Sequence, residues 1–281
     1  MVERTPGEHG DASQDWVGPF YNQTAAWWGP NTNTEAYVAR ARQVERLCGP
    51  GPHRVLDLGT GPGGNAAALA DRGHQVVAVE LSERAAFARE LAKVQRKGSL
   101  TVLQADFFTL ELAGRFDVVT CWQVFGVGSD SEQRRLLQRI ARHWLAPGGA
   151  VLMDVYCPFR PAREAGSQEI LPPLPNVPGS REMIERCHFD PVACRWIDEW
   201  EPTAVPEDAM AQTLRCYSPA DLALLLDGTG LALVRLEVDG VEVDLTPGAV
   251  TRSGPLMDAW SYVVTLRPAG EIEQDRGVES G

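Results

Sequence analysis

The sequence predicts an α/β fold: a doubly wound, seven-stranded, mostly parallel sheet with an N-terminal cap and an inserted lid. Three observations carry that expectation. Short apolar runs alternate with helix-period stretches from His53 onward, a glycine-rich loop joins the first run to the first helix, and the alternation stops after Cys157 and resumes at Ser218. Strand, helix, strand at this rhythm builds parallel units whose helices cover both sheet faces. A chain of 281 residues, 44% of them hydrophobic, can bury such a core without disulfides or metals.

Taken in order, residues 1 to about 15 are polar and read as a mobile terminus. The segment 16–50 reads as a helical cap, aromatic at Trp16, Tyr21, Trp27, Trp28 and Tyr37, and broken by Gly49-Pro50-Gly51-Pro52. His53 to Leu58 is a buried strand, Asn65 to Asp71 a short helix, and Gln75 to Leu81 the second strand. Ser82 is positioned to cap a helix with Phe87, Leu91 and Val94 on one face, ended by Gly98. Leu100 to Gln104 and Phe116 to Trp122 give the third and fourth strands. A helix from about Ser131 to Leu145 stops at Pro147-Gly148-Gly149, before a fifth strand from Ala150 to Tyr156.

Residues 158–217 read as the lid. Pro158, Pro161, Pro172, Pro173, Pro175 and Pro178 mark irregular chain, and Cys194 to Trp200 with Met210 to Cys216 form an antiparallel ribbon. Ser218-Pro219-Ala220-Asp221 opens a helix with a cap, a proline at its first position and an acid at its third. Leu231 to Val238, with Val241 to Leu245 as a candidate extension, and Trp260 to Leu266 complete the sheet. The core is thus 51–157 with 218–268, and 269–281 is an acidic tail.

The net charge of −12 opposes a phosphate backbone, so nucleic acid is not an expected partner. Arg134, Arg135, Arg139 and Arg142, the densest basic stretch, form the solvated face of a helix whose Leu136, Leu137, Ile140 and Trp144 face inward. The N-terminus lacks an apolar signal segment and no stretch reaches 18 apolar residues, so the expected setting is cytoplasmic, off the membrane, with six reduced cysteines. Cys187, His188, Cys194 and Cys216 match no common zinc spacing, and no metal is expected. The expected partner is a small-molecule substrate, and the assembly a monomer or homodimer.

The run Val55-Leu56-Asp57-Leu58-Gly59-Thr60-Gly61-Pro62-Gly63-Gly64 leaves a buried strand and opens a helix, where free N–H groups and missing Cβ atoms admit a ligand. Glu80, 21 residues beyond Gly59, ends the next strand, where a carboxylate can accept from both hydroxyls of a ribose. Gly59, Gly61 and Gly64 also satisfy the dinucleotide fingerprint. Three features favour another cofactor: Asp57 inside the strand, the G-x-G-x-G spacing through Gly63, and Asp106 after the third strand, placed to accept from an adenine amino group. With Phe116-Asp117-Val118-Val119 and Pro147-Gly148-Gly149, these motifs resemble class I S-adenosylmethionine-dependent methyltransferases over residues 53 to 157, and more weakly to 268.

The resemblance implies a Rossmann-like methyltransferase fold closed by an antiparallel strand, and S-adenosylmethionine as cofactor, leaving as S-adenosylhomocysteine. It places Asp57, Gly59, Thr60, Gly61 and Gly63 against the methionine part, Glu80 and Leu81 at the ribose, and Asp106 and Phe107 at adenine. It puts Trp122 beside the cofactor and Gln123 in the acceptor pocket. Phe20 to Trp28 is similar to the tyrosine-bearing N-terminal helix of small-molecule methyltransferases, where the tyrosine closes over the cofactor, with Asn22 where the family more often has an acid. Candidate catalytic residues are therefore Tyr21, by that similarity, and His188, a lid histidine able to act as base. Trp28, Tyr156, Arg215 and Tyr217 are candidates for holding substrate. Each has a structural alternative: the aromatic side chains as packing, His188 as a surface histidine, Arg215 and Tyr217 as bridges between lid and body.

The expected reaction is methyl transfer to an O, N or S atom of a small metabolite, natural products included. Two alternatives stay open: a methyltransferase fold that keeps its cofactor without transferring the methyl group, as a cyclase, lyase or sensor, and a nicotinamide-dependent oxidoreductase. The second lacks a Tyr-x-x-x-Lys pair.

Overall fold

The structure, a computed structural model, describes residues 14–30, 34–175, 177–246 and 254–270. Most of the expected mobile terminus and all but the first two residues of the expected acidic tail lie outside these ranges. The cap is two helices, α1 (Val17–Trp28) and α2 (Thr34–Cys48). The core follows as β1 (Arg54–Leu58), α3 (Gly64–Asp71), β2 (Gln75–Glu80), α4 (Ala85–Ala92), β3 (Ser99–Gln104), β4 (Phe116–Cys121), α5 (Asp130–Arg139) and β5 (Leu145–Tyr156). The insertion holds α6 (Phe159–Glu164), β6 (Gln168–Leu171), β7 (Met183–Asp190), β8 (Arg195–Pro202) and β9 (Met210–Arg215). The core then resumes with α7 (Pro219–Leu226), β10 (Leu231–Val238), β11 (Val241–Glu242), α8 (Gly254–Asp258) and β12 (Ser261–Pro268).

Alternation along the central strands explains the double winding. Val55 and Val118 join an apolar cluster with Ala41 and Val44 of α2 and Ala66 and Leu69 of α3. Leu56, Leu58 and Val119 join a second cluster with Leu136 and Leu137 of α5 and Leu222 and Leu225 of α7. The strands run in the order β11-β10-β12-β5-β4-β1-β2-β3, with β1 to β5 parallel to one another and β12 antiparallel to β5 and β10. The order reverses between β1 and β4, and the crevice beyond their carboxyl ends is where an open α/β sheet binds its ligand.

Most elements lie where the sequence puts them; the differences include helix α6 in chain expected to be irregular, the unexpected α8, and four others. The lid is a four-stranded antiparallel sheet, β6-β7-β8-β9, rather than a ribbon of two strands. Val241 does not extend β10; Asp239 and Gly240 turn the chain back and Val241–Glu242 pairs antiparallel as an eighth strand. The helix expected to reach Leu145 runs as α-helix only to Arg139, continues as a π-turn over Ile140–Trp144, and becomes extended at Leu145. Helix α4 ends at Ala92, well short of Gly98, and the Ser82 hydroxyl donates to Glu80 at 2.5 Å as well as accepting from Arg84 N–H at 3.4 Å. The capping box expected at Ser218 and Asp221 is present, as is another between Ser129 and Glu132.

The cap is tied to the sheet by charge as well as packing. Arg46 of α2 makes a two-pronged bond, 2.7 and 2.6 Å, to Glu237, which is only 2% exposed in β10. The guanidinium holds that carboxyl below its ordinary range. Among the described residues no helix is long and apolar enough to cross a membrane.

Candidate active site

A cavity of about 960 Å3 lies over the carboxyl ends of β1, β2 and β4 and extends beneath α1 to the lid sheet. Its floor is the loop after β1. Gly59, Gly61 and Gly63 all have positive φ, +68°, +57° and +87°. A Cβ on Gly59 would stand 2.6 Å from Val124 Cγ2, so only glycine lets the β4 loop close over this turn. Where a Cβ on Gly61 would point there is open space, the side from which a ligand approaches. Beside it, buried Glu80 accepts from Gly61 N–H at 2.8 Å and Ser82 N–H at 2.9 Å, holding its carboxylate at the cavity wall. Leu81, Asp106 and Phe107 line the same end. Asp106 Oδ1 accepts from Phe108 N–H at 2.8 Å, which fixes the carboxylate and leaves acceptor capacity on both oxygens. A cradle of open glycine backbone, a ribose-facing acid and a second acid one strand along suits S-adenosylmethionine.

Trp122 and Gln123 line the cavity at the end of β4, and Gln123 is turned by a positive φ of +58°. Asp154 fixes that turn: its Oδ1 accepts from Gln123 N–H, its Oδ2 lies 3.5 Å from the Arg40 guanidinium, and burial holds its carboxyl above the ordinary carboxylate range despite the arginine. Arg40 also lies 5.0 Å from the Trp122 ring centre. Neither Arg40 nor Tyr37 was expected at the site. Both are on one face of α2 at helical spacing, and Gly64 has room for no side chain because the Tyr37 ring occupies it.

The roof is α1. Tyr21 and Trp28 line the cavity, and Tyr21 donates to Gln212 Oε1 of β9 at 3.1 Å. Burial pushes the Tyr21 phenol up to about 12, with Arg84 opposing. Arg84, another unforeseen residue, sits between the two rings, 5.1 Å from Tyr21 and 4.9 Å from Trp28, and donates to Thr24 Oγ1. Asn22, in place of the family's acid, accepts from Glu83 N–H at 2.8 Å and so docks α1 onto the loop before α4.

The far wall is the lid sheet with Tyr156 of β5. Glu185 and Cys187 of β7, Trp196, Asp198 and Trp200 of β8, and Gln212 of β9 face inward. Strand parity sends His188 the other way: it is exposed, outside the cavity, 3.9 Å from Glu199. The candidate base is therefore not placed to reach an acceptor here. Arg215 and Tyr217 are also outside. Both bond Asp130 Oδ1, at 3.0 and 2.7 Å, and the guanidinium stacks on the ring at 4.5 Å. They bridge lid and body. Asp57 and Gly63 support the floor from behind. Buried Asp57 accepts from Thr120 Oγ1 at 2.6 Å across the β1–β4 pair, and a Cβ on Gly63 would meet Ala88 Cβ at 2.7 Å. The lid thiols of Cys187, Cys194 and Cys216 point at backbone carbonyls.

A doubly wound sheet closed by an antiparallel strand, with a glycine floor after β1 and acids after β2 and β3, defines the class I methyltransferase architecture. A family model described as a methyltransferase domain matches residues 33–236, and the chain belongs to that family. It is 32% identical over 148 residues to a cypemycin N-terminal methyltransferase from a Streptomyces species, covering 52% of this chain and 57% of that one. Against a ubiquinone biosynthesis O-methyltransferase from Xanthomonas axonopodis pv. citri (strain 306) it is 30% identical over 166 residues, 55% of this chain and 66% of that one. The chain thus spans between half and two thirds of these curated relatives. Among solved structures, the CcbJ methyltransferase from Streptomyces caelestis superposes with a TM-score of 0.69 at 22% identity, covering 92% of this chain and 99% of that one.

Proposed function

We propose that the protein transfers a methyl group from S-adenosylmethionine to a nucleophilic atom of a small metabolite. One observation carries this: the seat at Gly61 and Glu80 opens without a partition onto an aromatic compartment under the lid. Donor and acceptor can therefore meet in one continuous space under α1 and the lid sheet. When bound, S-adenosylmethionine supplies a methyl group already activated on a sulfonium. The chain's own task is to seat, align and dehydrate.

In this reading Gly59, Thr60 and Gly61 hold the methionine part and Glu80 accepts from the ribose hydroxyls. Asp106 and Phe107 receive the adenine, and Trp122 and Tyr21 wall the transfer point. Trp28, Gln123 and Tyr156 shape the acceptor compartment. A net charge of −12 supports a small-molecule rather than a nucleic-acid partner. The family's N- and O-directed relatives leave the acceptor atom to be read from the pocket itself.

Calorimetric titration with S-adenosylhomocysteine and, in parallel, with NAD(H) tests the reading. Binding of the first and not the second is expected. The reverse would make the glycine loop a dinucleotide site. Glu80→Gln, which removes charge-assisted acceptance from the ribose, should weaken S-adenosylhomocysteine by about tenfold or more.

A further inference from the structure

The cavity face of the lid carries an unusual polar group for an aromatic wall. Asp198 is 2% exposed. Its Oδ2 accepts from Trp200 Nε1 at 2.8 Å and Gln212 Nε2 at 2.7 Å, whereas Oδ1 meets no donor. What faces it is the Glu185 carboxyl, diagonal to it across the β7–β8 pair. Two carboxyl groups facing each other, one buried and one half-buried, require a proton or a cation between them.

Among the described residues none supplies that cation. Glu169 of β6 adds a third acid nearby, and the other titratable neighbours, Cys187, Tyr156 of β5 and Tyr21 of α1, carry no positive charge. Of the arginines that line the cavity, Arg84 is sandwiched by Tyr21 and Trp28, Arg40 pairs with Asp154, and Arg160 lies on Trp260. Rings complete the enclosure: Trp28 and Trp200 are 5.1 Å apart, Tyr156 and Trp196 5.4 Å, Trp196 and Trp260 4.9 Å. Acids among aromatic faces favour an alkylammonium and repel a carboxylate or phosphate.

Resting on the methyl-transfer reading, we propose that the acceptor is a basic amine, held as its ammonium between Glu185 and Asp198, which take its proton. The N–H electron pair stays on nitrogen as the proton passes to the carboxylate pair. The freed lone pair then forms the N–C bond while the C–S bond of the methyl donor breaks, its electrons remaining on sulfur. Positive charge moves from sulfur to nitrogen, and the methylated ammonium leaves.

The test is calorimetry on protein loaded with S-adenosylhomocysteine, titrated with matched probes: cyclohexylamine against cyclohexanol, and piperidine against tetrahydropyran. Each amine should bind at least about tenfold tighter than its oxygen isostere. Asp198→Asn and Glu185→Gln should each remove the preference while S-adenosylhomocysteine affinity, which also reports folding, stays unchanged. Absence of an amine preference in the unaltered protein, whether from equal binding or from none, overturns the proposal. So does a preference that survives both substitutions. Failure of the unaltered protein to bind S-adenosylhomocysteine would instead overturn the reading beneath it.

Discussion

Glu185 is half-buried and faces another acid, so burial first and the Asp198 charge second push it up from 4.5 to about 7. Between those values the folded protein holds more protons than the unfolded chain. The stability this group contributes is therefore complete below about 4.5 and is lost as pH climbs through about 7. Glu185→Gln removes the slope and gives Asp198 Oδ1 an amide donor. The variant should melt higher than the unaltered protein on the alkaline side of neutrality, and its melting temperature should vary less with pH. Equal pH dependence of the two proteins would show that the acids are not in contact. A gain in stability at the expense of binding is the usual signature of a site kept strained for use. None of this was legible in the sequence, because Glu185 lies in Met183-Ile184-Glu185-Arg186-Cys187-His188-Phe189-Asp190 among charged neighbours. That pattern has no apolar alternation, and only the pairing of β7 with β8 shows which acids turn inward.

The glycine loop shows the opposite case, an element whose sequence spells out its shape. Gly61 and Gly63 share a left-handed backbone but not a neighbourhood. Gly61→Ala adds its methyl to open cavity and meets only the backbone cost of about 1–2 kcal/mol. It should fold, melt slightly lower, and lose most of its S-adenosylhomocysteine affinity. Gly63→Ala pays the same backbone cost and also drives its methyl into Ala88, at 2.7 Å from Cβ and 2.8 Å from Cα. Thermal melts should rank Gly63→Ala well below Gly61→Ala, whereas the affinity loss should be larger in Gly61→Ala. Loop, the succession of strands and helices along the core and the acids after β2 and β3 could be read beforehand because each rests on local chemistry. The cap residues Tyr37 and Arg40, and Arg84 before α4, could not. Their role depends on where α2 and the β2–α4 turn pack, which no local pattern specifies.

Lid and core are joined by more than the chain that runs between them. Arg195 of β8, 8% exposed, donates to the carbonyls of Gly126, Val127, Gly128 and Thr213 and to Thr213 Oγ1. It thus binds the lid sheet to the β4–α5 loop. Removing one guanidinium leaves several buried acceptors without donors. Arg195→Leu should lower stability by about 3 kcal/mol, read from urea unfolding, and expose the lid to limited proteolysis before the core unfolds. Arg215 and Tyr217 reinforce the same seam through Asp130, which is why two candidates for holding substrate turn out to hold the protein's own parts together.

Helix α1 makes its polar contacts on both sides of the cavity. Asn22 bonds the loop beside the Glu80 carboxylate, and Tyr21 bonds Gln212, which in turn bonds Asp198. A helix that forms one wall of two compartments makes their occupancies communicate. Whatever free energy one ligand spends in seating α1, the other need not spend again. Thermodynamic reciprocity then fixes the outcome: the factor by which S-adenosylhomocysteine tightens an amine must equal the factor by which that amine tightens S-adenosylhomocysteine. Tyr21→Phe, which cuts the relay and little else, should bring both factors toward unity together.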